Sequence, residues 1–340
     1  MSADVDQVGI LREAIEHIFR DLCTAEIINA SEAGQWPDTL WQALEDSGLT
    51  RALLPEEQGG SGLGLHEAVA LLELAGYHTA PVPLAETWLA GLALSQAGED
   101  VPAGPLTVAA TAAGGGETLV QVPWGRCVPV ARLQSDGGNL RLRLIRGGRV
   151  ARKGANLAGE PSDQLDLRHG QLVIDATAPW SEQRLLALGA LLRSAQMAGA
   201  LRRCLELSCD YAGQRKQFGR PLAKFQAIQQ QLALLAGEVA ATGMAVETAA
   251  VVAARGGGEL DIAVAKARAG MAVESATRIS HQIHGAMGFS HEHCLHQTTR
   301  RLWAWRDTFG TECYWNAVLG RQALDAGGSG LWSGLITRLG

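Results

Sequence analysis

Apolar residues recur at helical spacing through the first hundred residues of the chain. The repeat predicts helices, each with one apolar face, over residues 10–22, 40–49, 66–76 and 85–97. Glycines in the segment 55–62 supply the positive φ angles of a loop that interrupts this repeat. We therefore expect residues 1–104 to form an N-terminal helical domain.

The spacing of apolar residues changes between positions 105 and 180. Short runs there predict strands over residues 107–111, 118–122, 128–133 and 140–145. The last run alternates strictly between Leu and Arg, as a half-buried strand does, and glycines at 137–138 and 147–148 predict turns. Residues 105–180 are therefore predicted to form a small β domain.

Helical spacing returns at about residue 181 and continues to the end of the chain. The pattern predicts helices longer than the globular average, typical of a bundle, over residues 185–212, 226–254 and 260–284. The glycine-rich segment 327–330 and the tail after it are compatible with a flexible terminus or with a docking segment. The fold class predicted from the three zones is mostly α with a small central β domain.

Composition and charge exclude several classes of protein. The net charge is −6 with no dense basic stripe, so we do not expect a nucleic-acid partner. No run of eighteen or more apolar residues predicts a membrane span, and residues 1–16 lack the features of a secretory signal, so we expect a cytoplasmic protein. Because the cysteines form no CxxC pair, we expect six reduced thiols, at positions 23, 127, 204, 209, 294 and 313.

One block in the third zone carries residues suited to a dinucleotide. The Arg215 guanidinium can hold a pyrophosphate through two parallel hydrogen bonds, which lysine cannot do. Phe218 can pack on an adenine ring, and Gly219 permits a sharp backbone turn near a ligand. Pro221 can begin a new helix that brings Leu222 and Gln226 to the same place. The alternative is that these residues serve only a corner between two helices.

This block, residues 211–229, resembles the signature of the acyl-CoA dehydrogenase family. The segment 281–289 resembles the family's second cofactor segment, and the loop 54–62 resembles an N-terminal loop of the family. The resemblance implies an N-terminal helical domain, a β domain and a C-terminal four-helix bundle, with FAD as cofactor. It also implies that the FAD of a neighbouring subunit is contacted by Arg215, Gln217, Phe218, Leu222, Gln226, Gln282, Gly285 and Ala286.

The catalytic glutamate that the family uses to abstract an α-proton has no counterpart at either position where the family carries it. Matching to the C-terminal motif places Phe309 at the first position, and counting back from Arg215 places Gly189 at the second. The family's segment along the flavin ring also has no counterpart between residues 105 and 179. Asp307 and Glu312 are the alternatives for a relocated base; as surface charges they would have no catalytic role.

The chain keeps the flavin-contact residues and lacks the catalytic glutamate. In this it resembles the short subunit of the heterotetrameric (α2β2) acyl-CoA dehydrogenases of steroid side-chain degradation. The resemblance implies a longer catalytic partner that supplies the glutamate, a bulky acyl-CoA substrate and electron-transferring flavoprotein as acceptor. Two other interpretations are a self-sufficient homo-oligomeric dehydrogenase that uses Glu312 and a non-enzymatic scaffold. A metal site is not expected, because the group formed by His281, His284, His291, His293 and His296 overlaps the second cofactor segment.

Overall fold

A computed structural model of the chain describes residues 2–109 and 119–336. The N-terminal domain consists of helices α1 (Ser2–Leu22), α2 (Ala25–Glu32), α3 (Asp38–Asp46), α4 (Leu65–Tyr77) and α5 (Leu84–Gln96). Thr24 caps α2, because its hydroxyl accepts the backbone N–H of Ile27. In the predicted loop, Gly59 and Gly62 adopt positive φ angles, whereas Gly60 lies so close to the Leu54 carbonyl that a Cβ atom would overlap it.

The β domain packs two sheets against each other. Its strands are β1 (Thr107–Ala109), β2 (Leu119–Pro123), β3 (Val130–Asp136), β4 (Asn139–Arg146), β5 (Arg149–Arg152), β6 (Ser162–Asp166) and β7 (Gln171–Thr177). The sheet orders are β1-β3-β4-β7 and β2-β6-β5, and among the described strands the β1–β3 pair alone is parallel. The first four strands match the predicted runs in the described residues, whereas β5, β6 and β7 were missed. Residues 110–111 and 118 of the predicted runs lie outside the described residues.

The C-terminal domain is a bundle of long helices. It contains α6 (Glu182–Gln214), α7 (Gln226–Ala254), α8 (Glu259–His284), α9 (Leu295–Asp307) and α10 (Glu312–Ile336), with a small hairpin of β8 (Lys216–Gln217) and β9 (Arg220–Pro221). The three predicted long helices are present. Helices α9 and α10 were not predicted, and the glycine-rich segment lies within α10, where Gly327 forms a kink.

Helix α6 joins the C-terminal bundle to the N-terminal domain at very short range. A Cβ atom on Gly199 would overlap the Glu73 carbonyl of α4, and one on Gly76 of α4 would overlap the Gln196 carbonyl. Glycine at both positions therefore lets the two helix backbones touch. The predicted boundary at 104/105 lies between α5 and β1, and that at 180/181 lies between β7 and α6. The mostly helical fold with a small β domain is confirmed.

Helix α7 presents an unusual amount of apolar surface. Among the described helices it alone is long and apolar enough, by length and composition, to cross a bilayer, with a mean hydropathy of 1.3. The prediction of no membrane span rested on uninterrupted apolar runs, which do not identify a helix whose apolar residues are interspersed with polar ones. Leu234 and Met244 of α7 and Met271 of α8 are 59%, 61% and 52% exposed. These three residues, the α7–α8 apolar face, have no covering element in the part of the chain described.

Candidate functional site

The predicted pyrophosphate-binding block forms a hairpin between α6 and α7. The Arg215 N–H donates to the Tyr211 carbonyl at 2.8 Å and ends α6, and the Leu222 N–H donates to the Arg215 carbonyl at 2.9 Å and closes the hairpin. At its tip, Phe218 and Gly219 have φ angles of 51° and 79°. A left-handed φ is strained for phenylalanine and free for glycine. The sequence therefore builds a short projecting turn.

The functional groups of this hairpin face outward. Phe218 is 91% exposed, and Arg215, Gln217 and Gln226 are also exposed. Within the described residues the Arg215 guanidinium makes no hydrogen bond or ion pair, and Leu222 is half-buried at the base of the hairpin. An unpaired guanidinium and an exposed ring on one short hairpin fit an anionic group attached to a planar base. The polar and aromatic groups of the hairpin are therefore accessible from outside the chain.

The second predicted cofactor segment begins where α8 ends. Gln282, Gly285 and Ala286 are exposed, and Gly285 has a φ of 57° with open space where a Cβ atom would lie. The His284 ring stacks on the Tyr211 ring with centroids 4.6 Å apart. The structure therefore brings the end of α8 next to the base of the hairpin.

The two positions predicted for the catalytic base lie against each other. A Cβ atom on Gly189 of α6 would be 2.5 Å from the Phe309 Cε1 atom, so the phenyl ring fills the space above the glycine. Phe309 is 5% exposed, and the Trp315 indole N–H donates to its carbonyl at 3.0 Å. Neither residue carries a group that can accept a proton. The place where the two family positions meet is thus occupied by a hydrocarbon ring.

The two alternative bases have different surroundings. The Arg306 guanidinium donates to both carboxylate oxygens of Glu312, one of them at 2.9 Å, and this pairing lowers the pKa of Glu312. A carboxylate held in this way is a poor proton acceptor, and it does not line the cleft beside Phe309. Asp307 is exposed and does line that cleft. Of the two, only Asp307 is placed to meet a molecule in the cleft.

This cleft lies between the β domain and the end of α9. It has a volume of about 520 Å³, and its walls include Val108, Pro123, Leu157 and Phe309. A smaller polar chamber shares Pro123, Asn156, Ser162 and Thr308 with the cleft and extends inward from it.

A buried ion pair lines the inner chamber. Arg193 of α6 pairs with Glu86 of α5, with 4% and 2% of these residues exposed. The Arg193 guanidinium also donates to the Gln196 side-chain oxygen at 2.5 Å and lies 5.4 Å from the Trp305 ring centroid. The apolar pattern of this part of α6 predicts ordinary core packing and not a buried ion pair. The signal that could have identified the pair is one arginine within the otherwise uncharged stretch 185–201 and one glutamate within the apolar helix α5.

The histidine group forms stacked rings. His281 stacks on Phe289 with centroids 4.2 Å apart, and His284 meets the edge of His293 at 4.7 Å. Burial lowers the pKa of His281, His284 and His293, and the proximity of His284 adds to the shift for His281 and His293. Across the described ranges no group of three or more His, Cys, Asp or Glu side chains is arranged to hold a metal ion.

Two family models match this chain and leave only the β domain between them. Residues 8–101 match the N-terminal domain of acyl-CoA dehydrogenases, and residues 181–323 match the C-terminal domain. The chain belongs to the acyl-CoA dehydrogenase family. Membership of this family makes the protein an FAD-dependent oxidoreductase that acts on CH–CH groups. The exposed guanidinium, aromatic ring and amide groups of the hairpin and of the α8 end fit that cofactor.

Several relatives of this acyl-CoA dehydrogenase cover most of its length. Acyl-CoA dehydrogenase IpdE2 of Mycolicibacterium smegmatis is 29% identical over 291 residues, which are 84% of this chain and 88% of that protein. Acyl-CoA dehydrogenase FadE28 of Mycobacterium tuberculosis is 29% identical, over 76% of this chain and 85% of that protein. A chain of the Tcur3481–Tcur3483 steroid ACAD variant is 25% identical, with a TM-score of 0.83 over 93% of this chain and 97% of that one.

A second solved structure supports the fold of this acyl-CoA dehydrogenase. A chain of the ChsE4–ChsE5 complex from Mycobacterium tuberculosis has a TM-score of 0.83 at 23% identity, over 93% of this chain and 96% of that one. The predicted family, fold and cofactor are thus confirmed. The roles of the individual flavin-contact residues and the absence of a base stay predictions.

Proposed function

We propose that this chain is the base-lacking subunit of a two-component acyl-CoA dehydrogenase that desaturates an acyl-CoA between its α and β carbons. A longer partner subunit supplies the catalytic glutamate, and this chain completes the partner's FAD site. The packing of Phe309 on Gly189 is the observation that carries this proposal. It removes both family base positions from this subunit at once, whereas the flavin-contact hairpin keeps its groups free.

The roles of this chain's residues follow from their exposure. Arg215 would pair with the cofactor pyrophosphate, and Phe218 would cover the adenine ring. Gln217, Gln226 and Gln282 would add hydrogen bonds, and the open backbone at Gly285 and Ala286 would allow close approach. When bound, FAD accepts the hydride that leaves the β carbon of the substrate.

We further propose a bulky steroid side-chain thioester as the substrate and an α2β2 heterotetramer as the assembly. The names of two similar solved structures, a steroid ACAD and a two-protein complex, support this choice. The α7–α8 apolar face supports association, because a surface of that kind is normally covered. Electron-transferring flavoprotein as acceptor and a cytoplasmic location complete the proposal.

Co-expression tests the shared site directly. The chain should be purified alone and together with the longer acyl-CoA dehydrogenase subunit encoded nearest to it, and the flavin absorbance and the mass of each product should be recorded. We expect only the co-expressed product to be yellow and tetrameric. If the isolated chain carries stoichiometric FAD and reduces it with an acyl-CoA, the missing-base argument is wrong.

Arg215→Ala separates a flavin-contact subunit from a scaffold. Loss of a free guanidinium that pairs with a pyrophosphate should raise the FAD dissociation constant of the complex by at least tenfold, since charge-assisted pairs contribute about 1.5–3 kcal/mol. Arg255→Ala is the matched control, because Arg255 is an exposed arginine at the far end of α7. Equal flavin content in both variants and the parent would favour a scaffold.

A further inference from the structure

Tyr211 connects helix α6 to the flavin-contact hairpin. It lies in the last turn of α6, and its carbonyl accepts the Arg215 N–H at 2.8 Å, the bond at which the helix ends. Arg215 itself has an extended backbone, with a ψ of 123°. The position of Tyr211 therefore determines the point and the direction in which Arg215 leaves the bundle.

His284 has the same relation to the second segment. It is the last residue of α8, it is 3% exposed, and the next residue, Gly285, turns away with a φ of 57°. The Nδ1–H of the His284 ring donates to the Ser280 carbonyl at 2.8 Å, so the ring cannot rotate freely. The position of the His284 ring is thus coupled to the direction in which Gly285 leaves the helix.

The rings of these two residues form a direct contact between the segments. Their centroids are 4.6 Å apart with 28° between the planes, and His293 contacts both rings, at 4.7 Å from His284 and 6.4 Å from Tyr211. Stacked and edge-on pairs at such distances are attractive and directional. The contact therefore fixes the hairpin and the end of α8 relative to each other.

We propose that Tyr211 and His284 are positioning residues that hold the two flavin-contact segments as one rigid unit before FAD binds. This inference rests on the proposed function, in which both segments meet the same cofactor. Segments that are already ordered lose less conformational entropy on binding than segments that must be ordered by the ligand. Loss of the ring stack should therefore weaken FAD without removing any group that touches it.

Much of the buried core of the bundle lies away from this contact. The bundle is held by buried side chains further along the same helices, among them Leu201, Val273 and Ile279, each at most 1% exposed. Variants at Tyr211 and His284 should consequently assemble with the partner and keep the melting temperature of the flavin-free complex within a few degrees. This property separates a positioning role from a general structural one.

The test measures the FAD dissociation constant of the flavin-depleted complex by quenching of flavin fluorescence. His284→Ala and Tyr211→Leu remove the stack and should each raise the constant about tenfold, which corresponds to about 1.4 kcal/mol. Tyr211→Phe keeps both the stacked rings and the His284 hydrogen bond, and should stay within about twofold of the parent. His291→Ala is the matched control, because His291 is an exposed histidine whose aromatic contact among the described residues is with His296 and not with Tyr211 or His284.

The outcomes distinguish this inference from the function on which it rests. If Arg215→Ala weakens FAD while His284→Ala and Tyr211→Leu leave the dissociation constant within twofold, the positioning role is wrong and the proposed function stands. If none of the three variants changes the constant, the proposed function itself fails. Should His284→Ala fold poorly, Tyr211→Leu alone decides, because Tyr211 is only half-buried and leucine fills part of its volume.

Discussion

Two phenylalanines of this chain share an unusual backbone conformation and have opposite surroundings. Phe218 and Phe309 both adopt left-handed φ angles, of 51° and 56°, and each precedes a glycine with a positive φ. Such residues cost about 1–3 kcal/mol each and persist where the surrounding structure imposes them. Phe218 is 91% exposed and Phe309 is 5% exposed. The Phe218 ring is thus accessible to solvent, whereas the Phe309 ring is packed in the interior against Gly189.

The contact between Phe309 and Gly189 can be tested by a double-mutant cycle. Gly189→Ala should destabilise the subunit by about 1–3 kcal/mol, because the new methyl group overlaps the phenyl ring. Phe309→Ala should cost about 3–5 kcal/mol by leaving a cavity. The double variant should lose at least about 1 kcal/mol less than the sum, since the alanine methyl then enters that cavity. Urea unfolding followed by circular dichroism gives the three values.

Gly213→Ala is the control for this cycle. Gly213 lies in the same helix, and a Cβ atom there would meet no atom within 4 Å. Alanine at such a site should be neutral or should stabilise the helix by up to about 1 kcal/mol. If Gly189→Ala behaves in the same way, the phenyl ring does not fill the base position in solution.

At the scale of residues, the sequence predicted which positions matter but not which residues touch. Matching to family motifs identified Phe309 and Gly189 as the two base positions. Nothing in their spacing predicted that the Phe309 ring would fill the space above Gly189. It also could not predict that Arg306 pairs with Glu312, because that pairing depends on where α9 ends and α10 begins.

At the scale of elements, prediction succeeded where burial follows hydrophobicity. Helices α6, α7 and α8 have long apolar repeats, and their predicted spans agree with the structure to within a few residues at each end. Helix α9 was missed because several of its buried residues are polar: Gln297, Thr298 and Arg301 are at most 1% exposed. A polar residue that is satisfied by partners from another domain breaks the apolar repeat on which the prediction depends.

A buried lysine holds the end of α9 in place. Lys266 of α8 is fully buried, and its ammonium group donates to the carbonyl of Arg306 at 2.6 Å in the last turn of α9. Burial lowers the pKa of Lys266 from 10.5 to about 7, with a smaller contribution from Arg193. The protonation state of Lys266 therefore affects the hydrogen bond that holds the end of α9, which leads directly to Phe309.

The lowered pKa of Lys266 predicts a pH-dependent stability. Between pH 7 and 10.5 the unfolded chain binds a proton at this lysine that the folded chain largely lacks, so stability should rise with pH across this window. The slope should be at most about 1.4 kcal/mol per pH unit. Urea unfolding at pH 7, 8 and 9 measures it, and Lys266→Met should flatten the curve. Parallel curves for the two proteins would mean that the lysine stays charged in the fold.

At the scale of the whole molecule, one arginine connects all three domains. Arg301 of α9 is fully buried, donates to Glu32 of α2 at 3.0 Å and lies 3.5 Å from Glu160 of the β domain. The Trp305 indole N–H donates to the same Glu160 at 3.2 Å. No pattern within one segment could predict this set of contacts, because each partner comes from a different composition zone.

Arg301→Met should destabilise the whole subunit. The change leaves Glu160 without a cationic partner in a site that is 9% exposed, and removal of one member of a buried pair costs about 3–5 kcal/mol. Arg300→Met is the control, because the Arg300 side chain is 40% exposed and pairs with the same Glu32. It should cost at most about 1 kcal/mol. Equal losses in urea unfolding would contradict a central role for Arg301.

The α7–α8 apolar face has no covering element in the described part of the chain. It is therefore the surface at which assembly with a partner should be tested. Met244→Asp places a charge where the partner subunit is proposed to pack, and burying an unpaired carboxylate is strongly unfavourable. The co-expressed complex should therefore lose mass in light scattering, while the helical content of this subunit stays unchanged. Leu324→Asp is the control, because Leu324 is an 83% exposed leucine on α10. If Met244→Asp leaves the tetramer intact, the partner binds elsewhere and another molecule must cover α7.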